Sequence, residues 1–144
     1  MIGGQVFVDT TGWVTLADGA DPRHADAVAW RDAWLERGGS LVSTDFILDE
    51  TLTLLRFRLG LSAAEAWWDQ VENSRRLRWE WIDPPRAEKA RRWMFRWHDK
   101  EFSFTDCTSF VVMKERRLRT ALTTDRHFVQ AGFEIVPGGG QRRT

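Results

Sequence analysis

Cysteine is almost absent from this sequence, since Cys107 is the only one. A single thiol cannot form an intrachain disulfide or a cysteine-rich zinc site, and this scarcity favours a reducing, cytoplasmic compartment. No run of about 18 apolar residues occurs, so no membrane-spanning helix is expected. The first residues also lack the charged and long apolar segments of a secretory signal. These absences predict a cytoplasmic protein without a membrane partner.

An excess of charge of one sign is missing as well, because 21 Lys and Arg residues balance 21 Asp and Glu residues. Any contact with nucleic acid must therefore come from local basic patches. Tyrosine is absent, but Trp and Phe each occur nine times, and 42% of the 144 residues are hydrophobic. This composition is sufficient for a packed core, and the length predicts one domain. We expect that domain to span residues 1–137, followed by a flexible tail at 138–144.

Short apolar runs alternate with helical patterns along the chain. Val6–Val8 is continuously apolar, as in a strand that is covered on both faces. Ser62 is predicted to cap the helix that carries Trp67, and Asp83 to cap a proline-initiated helix that runs to about Asp99. The alternation predicts an α/β fold: a single three-layer α/β/α domain with a central, mostly parallel sheet.

Four acids stand in apolar surroundings, where a charge costs free energy unless it is paired or holds a metal. They are Asp9, Glu50, Asp106 and Asp125. Asp9 and Asp125 follow apolar runs, so both are expected at the carboxyl ends of strands, the edge where open parallel sheets bind ligands. Taken singly, each is better explained as a loop aspartate that accepts backbone N–H groups, but adjacent parallel strands would bring the two carboxylates close, and this favours a shared site.

Glu50 and Asp106 are predicted to lie on helices. Helical spacing groups Glu50 with Phe46 and Leu54 on a core-facing stripe that Phe57 continues, and turns Asp49 toward solvent. The alternative is that Glu50 pairs with an arginine in the core. Asp106 falls in the first turn of a helix, where a negative charge is favourable in any case. Its face continues through core residues, which directs the carboxylate toward the sheet edge.

Four carboxylates held together repel one another unless a cation neutralises them. Oxygen ligands suit Mg²⁺, with Mn²⁺ as the other candidate. Such an ion orients a phosphate and lowers the pKa of a bound water, as phosphodiester hydrolysis requires. We therefore predict a metal-dependent phosphodiesterase.

The order and spacing of these acids resemble those of PIN-domain ribonucleases, especially the VapC-like toxins of type II toxin–antitoxin pairs. The similar segments extend over nearly the whole chain: Phe7-Val8-Asp9-Thr10, Asp49-Glu50-Thr51, Phe104-Thr105-Asp106-Cys107-Thr108-Ser109-Phe110 and Leu122-Thr123-Thr124-Asp125-Arg126-His127-Phe128.

The resemblance implies a metal-dependent endoribonuclease that hydrolyses single-stranded or structured RNA, with a cognate antitoxin and a homodimer as expected partners. It assigns Asp9, Glu50, Asp106 and Asp125 to catalysis and metal binding, with Asp9 and Asp106 as the most direct ligands. The hydroxyls of Thr10 and Thr123 are expected to orient carboxylates or waters. A catalytically silent RNA- or protein-binding module is the alternative.

Basic and aromatic residues leave two further alternatives open. Arg126 adjoins Asp125 and is the favoured phosphate contact, whereas clusters such as Arg91-Arg92 with Arg96 are equally explained as solvated helix faces. Trp93 and Trp97 share a helix face, which is typical of a core or an interface and also permits stacking on RNA bases. A phosphoryl-accepting receiver domain is disfavoured, because no second acid lies two residues after Asp9.

Overall fold

A computed structural model of the protein describes residues 4–138. Five strands form one sheet in the order β3-β2-β1-β4-β5. Every neighbouring pair in it is parallel, so the predicted mostly parallel sheet is entirely so. The strands are β1 (Gln5–Val8), β2 (Ser40–Thr44), β3 (Leu77–Glu80), β4 (Thr120–Leu122) and β5 (Glu134–Val136).

Seven helices in the described part of the chain connect and flank these strands. They are α1 (Thr10–Ala17), α2 (His24–Glu36), α3 (Asp45–Leu59), α4 (Leu61–Glu72), α5 (Pro84–Arg96), α6 (Phe104–Glu115) and α7 (His127–Gln130). α1 packs against α2 and α3, and α3 against α4. α6 packs against α5 and α7. The predicted α/β fold is confirmed.

The core lies in the sheet and on the inner faces of the helices. Phe7, Val42, Phe110 and Leu122 are fully buried in it. Nearly all residues of β1 and β2 are buried, because helices cover both faces of these strands. No helix among residues 4–138 has the length and apolar character that crossing a membrane would require.

Two helix boundaries differ from those predicted. α4 begins at Leu61 with Gly60 as its N-cap, so the prediction that Ser62 caps this helix is wrong. Gly60 has φ +102°, a conformation that an L side chain rarely adopts, and it ends α3 and starts α4 without a break. α5 begins after Asp83 as predicted but ends at Arg96. Of the predicted tail, residues 139–144 lie outside the described part of the chain.

The strand order creates a topological switch point between β1 and β4. From β1 the chain moves outward through β2 to β3, and it later returns to the other side of β1 for β4 and β5. In open parallel sheets, ligands bind in the crevice outside the carboxyl ends of the strands at such a point. Asp9 follows β1 and Thr123 follows β4, so both lie at this position.

Candidate active site

Asp9 connects β1 to α1 and is the N-cap of that helix. Its Oδ1 accepts hydrogen bonds from the backbone N–H of Gly12 and from the hydroxyl of Thr11, both at 3.0 Å. Only 4% of the residue is exposed. Burial raises the pKa of Asp9 to about 7, although the hydrogen bonds from Gly12, Thr123 and Thr11 act in the opposite direction. A nearby cation would therefore favour ionisation of this carboxyl at neutral pH.

Gly12 lets α1 approach the end of β4 very closely. A Cβ atom at this position would lie 2.1 Å from the carbonyl oxygen of Leu122, so only glycine fits. The close approach puts the hydroxyls of Thr11 and Thr123 2.9 Å apart. The Thr123 hydroxyl also accepts a hydrogen bond from the backbone N–H of Asp125 at 2.8 Å. Thr123 thereby links the two loops that carry Asp9 and Asp125.

Asp106 lies in the first turn of α6, where it forms a capping box with Ser103. The Ser103 hydroxyl accepts from the Asp106 N–H at 2.9 Å, and Asp106 Oδ2 accepts from the Ser103 N–H at 3.1 Å. The predicted alternative, helix-end stabilisation, is thus part of what this side chain does. Asp106 also makes a contact beyond the helix end, because its Oδ2 lies 2.9 Å from His127 Nδ1.

Asp106, Asp125 and His127 form a cluster of metal-ligand type. His127 Nδ1 lies 3.4 Å from Asp125 Oδ1, and one potential ligand atom from each of the three side chains falls within 4.8 Å of the others. Burial raises the pKa of Asp106, and the Asp125 charge adds to this, whereas the Ser103 N–H and His127 lower it. Asp125 also raises the pKa of Asp9. Asp125 thus acts on both Asp9 and Asp106, and we call these three carboxylates the acidic group.

Glu50 reaches this group from α3 through a hydrogen bond that its Oε1 accepts from the Thr10 hydroxyl. Glu50 is nevertheless exposed, because the buried face of α3 consists of Ile47, Thr51 and Leu55. The prediction that Glu50 points into the core is wrong. So is the prediction that Phe57 continues a buried stripe, since Phe57 is 78% exposed.

Asp49 and Glu50 line the same open groove, together with Thr105 from the start of α6. Asp49 is exposed, as predicted. Glu50 differs from it by its contact with Thr10, which directly follows Asp9. The groove therefore joins the Glu50 side of the site to the helix that carries Asp106.

Arg126, the predicted phosphate contact, is exposed and immediately precedes α7. It lines a cavity of about 220 Å³ together with Gly12, Thr123 and Thr124. The cavity thus borders the loop between Asp9 and Asp125.

The composition of the cluster fits a hard divalent cation. Carboxylate oxygens are the ligands that Mg²⁺ and Mn²⁺ prefer. The basic side chain that contacts both Asp106 and Asp125 is His127, which carries a positive charge only when it is protonated. Buried carboxylates with raised pKa values gain stability when a cation binds.

His127 is not among the site residues predicted from the sequence, yet in the structure it contacts both acids of this cluster. The signal was its position two residues after Asp125. The Asp125 carboxylate accepts the His127 backbone N–H at 2.9 Å, and this turn brings the imidazole back toward the acids.

Comparison with known proteins identifies the family of this arrangement. The family model for the PIN domain matches residues 6–134. The chain belongs to the PIN-domain family. It is 34% identical over 134 residues to the 23S rRNA-specific endonuclease VapC20 of Mycobacterium tuberculosis, covering 92% of this chain and 99% of that one. The resemblance to PIN-domain ribonucleases and VapC-like toxins is confirmed.

Solved structures agree with this assignment. The crystal structure of M. tuberculosis VapC20, a sarcin–ricin loop cleaving toxin, superposes with a TM-score of 0.79 over 89% of this PIN domain and 95% of that chain. VapBC2 from Rickettsia felis, bound to a promoter DNA fragment, gives 0.70 at 8% identity, over 92% and 97% of the two chains. FitAcB from Neisseria gonorrhoeae gives 0.65 at 19% identity, over 92% and 96%. These last two show the shared fold. The predicted activity, that of an endoribonuclease, is thus the activity of this family.

Proposed function

We propose that this PIN domain is a metal-dependent endoribonuclease and the toxin of a toxin–antitoxin pair. The observation that carries the proposal is the group formed by Asp9, Asp106 and Asp125 at the switch point of the sheet. Asp125 raises the pKa of both other acids, and Asp106, Asp125 and His127 place potential ligand atoms within 4.8 Å of one another, which supports a shared cation site. PIN nucleases use divalent metal ions, which agrees with this composition.

In this proposal Asp9, Asp106 and Asp125 hold the ion, and Glu50 supports it or its water. We favour Mg²⁺, with Mn²⁺ as a substitute, because the donors are mainly carboxylate oxygens. When bound, the ion supplies positive charge for the phosphodiester and lowers the pKa of a water molecule. All four acids are assigned to catalysis on this basis.

The neighbouring side chains have supporting roles. Thr10 fixes the direction of the Glu50 carboxylate, since its hydroxyl donates to Oε1. Thr123 fixes the Asp125 loop through the backbone N–H that it accepts. His127 Nδ1 contacts the carboxylates of both Asp106 and Asp125 and so orients these two side chains relative to each other. Arg126 contacts a phosphate of the bound RNA at the rim of the site.

The substrate that we propose is ribosomal RNA, specifically a structured loop of 23S rRNA. The support is the similarity to VapC20, a 23S rRNA-specific endonuclease that cleaves the sarcin–ricin loop. We further propose a cognate antitoxin as partner, because VapBC and FitAB structures share the fold. A homodimer and a cytoplasmic location, where ribosomal RNA is found, complete the proposal.

The test uses two RNA hairpins of equal length, one with the sarcin–ricin loop and one with an unrelated loop. The protein is incubated with Mg²⁺, with Mn²⁺ or with chelator, and the ends of the products are mapped. We expect cleavage of the sarcin–ricin hairpin with either metal, none with chelator, and 5′-phosphate ends. Asp106→Asn should abolish cleavage, and Asp69→Asn, an exposed acid on α4, is the matched control. RNA binding without any cleavage would instead indicate the catalytically silent module.

A further inference from the structure

A second RNA-contacting surface is suggested by a groove between α5 and α6. Four cationic side chains and two indoles line it, and its volume is about 420 Å³. The four cations are Lys89, Arg92, Arg96 and Lys114, and the two indoles are Trp93 and Trp97. We call this surface the α5–α6 groove. It is distinct from the acidic group, with which it shares no lining residue.

The groove is positively charged, unlike the chain as a whole. No acid lines it, although the chain as a whole has no net charge. Two of the cations bind carboxylates just outside the groove. Lys89 binds Glu115 at 2.8 Å, and Arg92 binds Glu88 at 3.1 Å. Arg96 forms no ion pair within residues 4–138, and Lys114 forms none there either. The groove therefore keeps positive charge that the fold does not use.

Other arginines of the same two helices are used differently. Arg86 on α5 and Arg116, just after α6, both bind the buried Glu80 carboxylate, at 2.9 and 3.0 Å. These arginines have carboxylate partners, whereas Arg96 has no carboxylate partner within residues 4–138 and lies against the Trp97 ring instead. Arg96 and Lys114 each lie in the last turn of a helix, where a positive charge is favourable, so helix stability accounts for part of their placement. Their position together in one groove with two indoles is a separate feature.

Aromatic surface lies next to the unpaired charge. Trp97 is 44% exposed, and the Arg96 guanidinium lies 5.8 Å from the centre of its ring. The Lys114 ammonium lies 5.6 Å from the ring of Phe133. An exposed indole beside cations is the composition of surfaces that bind single-stranded nucleic acid, where bases stack on rings and phosphates meet charges.

The groove begins close to the acidic group. Segment 97–103 leads from the end of α5 to Ser103, the residue that caps the helix carrying Asp106. A series of ring contacts also joins the two places: His127 to Phe102 at 5.7 Å, Phe102 to Phe110 at 5.0 Å, and Phe110 to Trp93 at 5.4 Å. Glu115 at the end of α6 binds Arg86 and Lys89 in the first half of α5, so the two helices run antiparallel, and the end of α5, which Trp97 follows, lies beside the start of α6 that carries Asp106.

The length of the groove corresponds to a few nucleotides. Lys89 and Arg96 are seven residues apart on α5, which at the helical rise corresponds to about 10 Å. One strand of a nucleic-acid duplex presents roughly three phosphates over that length. Three cations of α5 lie along it, Lys89, Arg92 and Arg96, and Lys114 lines the groove from α6.

We propose that the α5–α6 groove binds the backbone of the RNA substrate beyond the cleaved bond, with a base stacked on Trp97. This proposal rests on the proposed function, which supplies the polyanion at the adjoining site. RNA is favoured over an acidic protein segment because the groove combines indole rings with phosphate-spaced cations. It holds the substrate and takes no part in the chemical step.

The experiment compares a long sarcin–ricin hairpin with a short RNA that carries only the cleavage site. The variants are Arg96→Gln, Lys114→Gln and Trp97→Ala, and Arg75→Gln is the control. Arg75 is exposed and precedes β3, at the edge of the sheet opposite to the active site. We expect KM for the long RNA to rise about tenfold in Trp97→Ala and severalfold in the two cation variants. Their kcat, and their cleavage of the short RNA, should match wild type.

The dependence of affinity on salt gives a second readout. Each cation variant should reduce the slope of log affinity against log salt by roughly one, since one phosphate contact is lost. Unchanged KM and slope for the long RNA would overturn the proposal, as would an equal loss on both RNAs. A variant that changes the sedimentation mass but not RNA affinity would show a protein interface instead. If wild type binds the long RNA through the groove and cleaves neither RNA, the proposed function fails and the groove proposal stands.

Discussion

Two buried carboxylates at the same edge of the sheet have pKa values that are shifted in opposite directions. Glu80 ends β3 and is 8% exposed, and Asp9 follows β1 and is 4% exposed. Burial opposes the ionisation of both. For Glu80 it is outweighed by hydrogen bonds from Arg78 and Arg86 and by the charge of Arg116, so its pKa is lowered. For Asp9 burial dominates, and its pKa rises to about 7.

The difference shows that burial alone does not mark an active-site acid. Glu80 has three arginines within 3.0 Å, and its charge holds β3, α5 and the end of α6 together. Asp9 is held by a backbone N–H and by hydroxyls, which carry no charge. A buried acid with arginine partners is structural, whereas a buried acid with only neutral donors is available for a cation.

The largest expected effect is the loss of RNA cleavage in Asp9→Asn. The rate constant should fall by at least about 100-fold, since losing a direct ligand costs more than losing an outer one. Asn still caps α1, so the midpoint of thermal unfolding without metal should stay equal or rise. Single-turnover cleavage and thermal melts measure both. Cleavage at the wild-type rate would remove Asp9 from the metal site.

The second prediction concerns the pH dependence of stability without metal. Because the pKa of folded Asp9 is near 7 and that of an unfolded aspartate near 3.8, the folded state binds the extra proton between these values. The stabilising effect of this proton is complete below the unfolded pKa and is lost as pH rises toward 7, at up to about 1.4 kcal/mol per pH unit.

Chemical denaturation of wild type and Asp9→Asn in chelator, from pH 5 to 8, isolates this contribution. Wild type should lose stability relative to the variant as pH rises, and saturating Mg²⁺ should reduce that loss. A difference between the two proteins that does not depend on pH would contradict the raised pKa.

Glu80→Gln should lower the stability of the protein and leave RNA cleavage nearly unchanged, the reverse of what is expected for Asp9→Asn. The amide leaves partly buried arginines without their charge partner, so the free energy of unfolding should fall by about 1–3 kcal/mol. RNA cleavage by the folded protein should change little. Urea denaturation at pH 7 measures the first effect, and cleavage at a temperature well below the transition measures the second.

The smallest expected effect separates two adjacent acids of α3. Glu50→Gln replaces the carboxylate that Thr10 orients by a neutral amide, and cleavage should slow about tenfold. Asp49→Asn changes an exposed acid in the same groove and serves as the matched control, with a change of less than about twofold. If Asp49→Asn is the more damaging of the two, the roles of these acids are exchanged.

The sequence predicted the strand-end acids and the helix-start acid because local rules determine their positions. Asp9 follows a continuous apolar run, and the carboxyl ends of parallel strands share one edge. Asp106 follows Ser103 by three residues, the spacing of a capping box. These patterns involve near neighbours in the chain, so they can be recognised without tertiary contacts.

The orientation of Glu50 and the position of His127 could not be predicted in the same way. α3 packs against both α1 and α4, so its buried face is shifted to Ile47, Thr51 and Leu55 relative to the expected stripe. The imidazole of His127 meets Asp106 across 21 residues of chain and two helices. Both features result from long-range packing, which helical periodicity does not specify.

The division of the acidic group between distant parts of the chain affects the protein while it is being synthesised. Asp9 leaves the ribosome early, but Thr123 and Asp125 follow only after β4, near the other end of the chain. A nascent polypeptide therefore lacks a complete cation site until almost all of it has been translated. If the chain attacks ribosomal RNA, its own ribosome is safe from it until the last strands emerge.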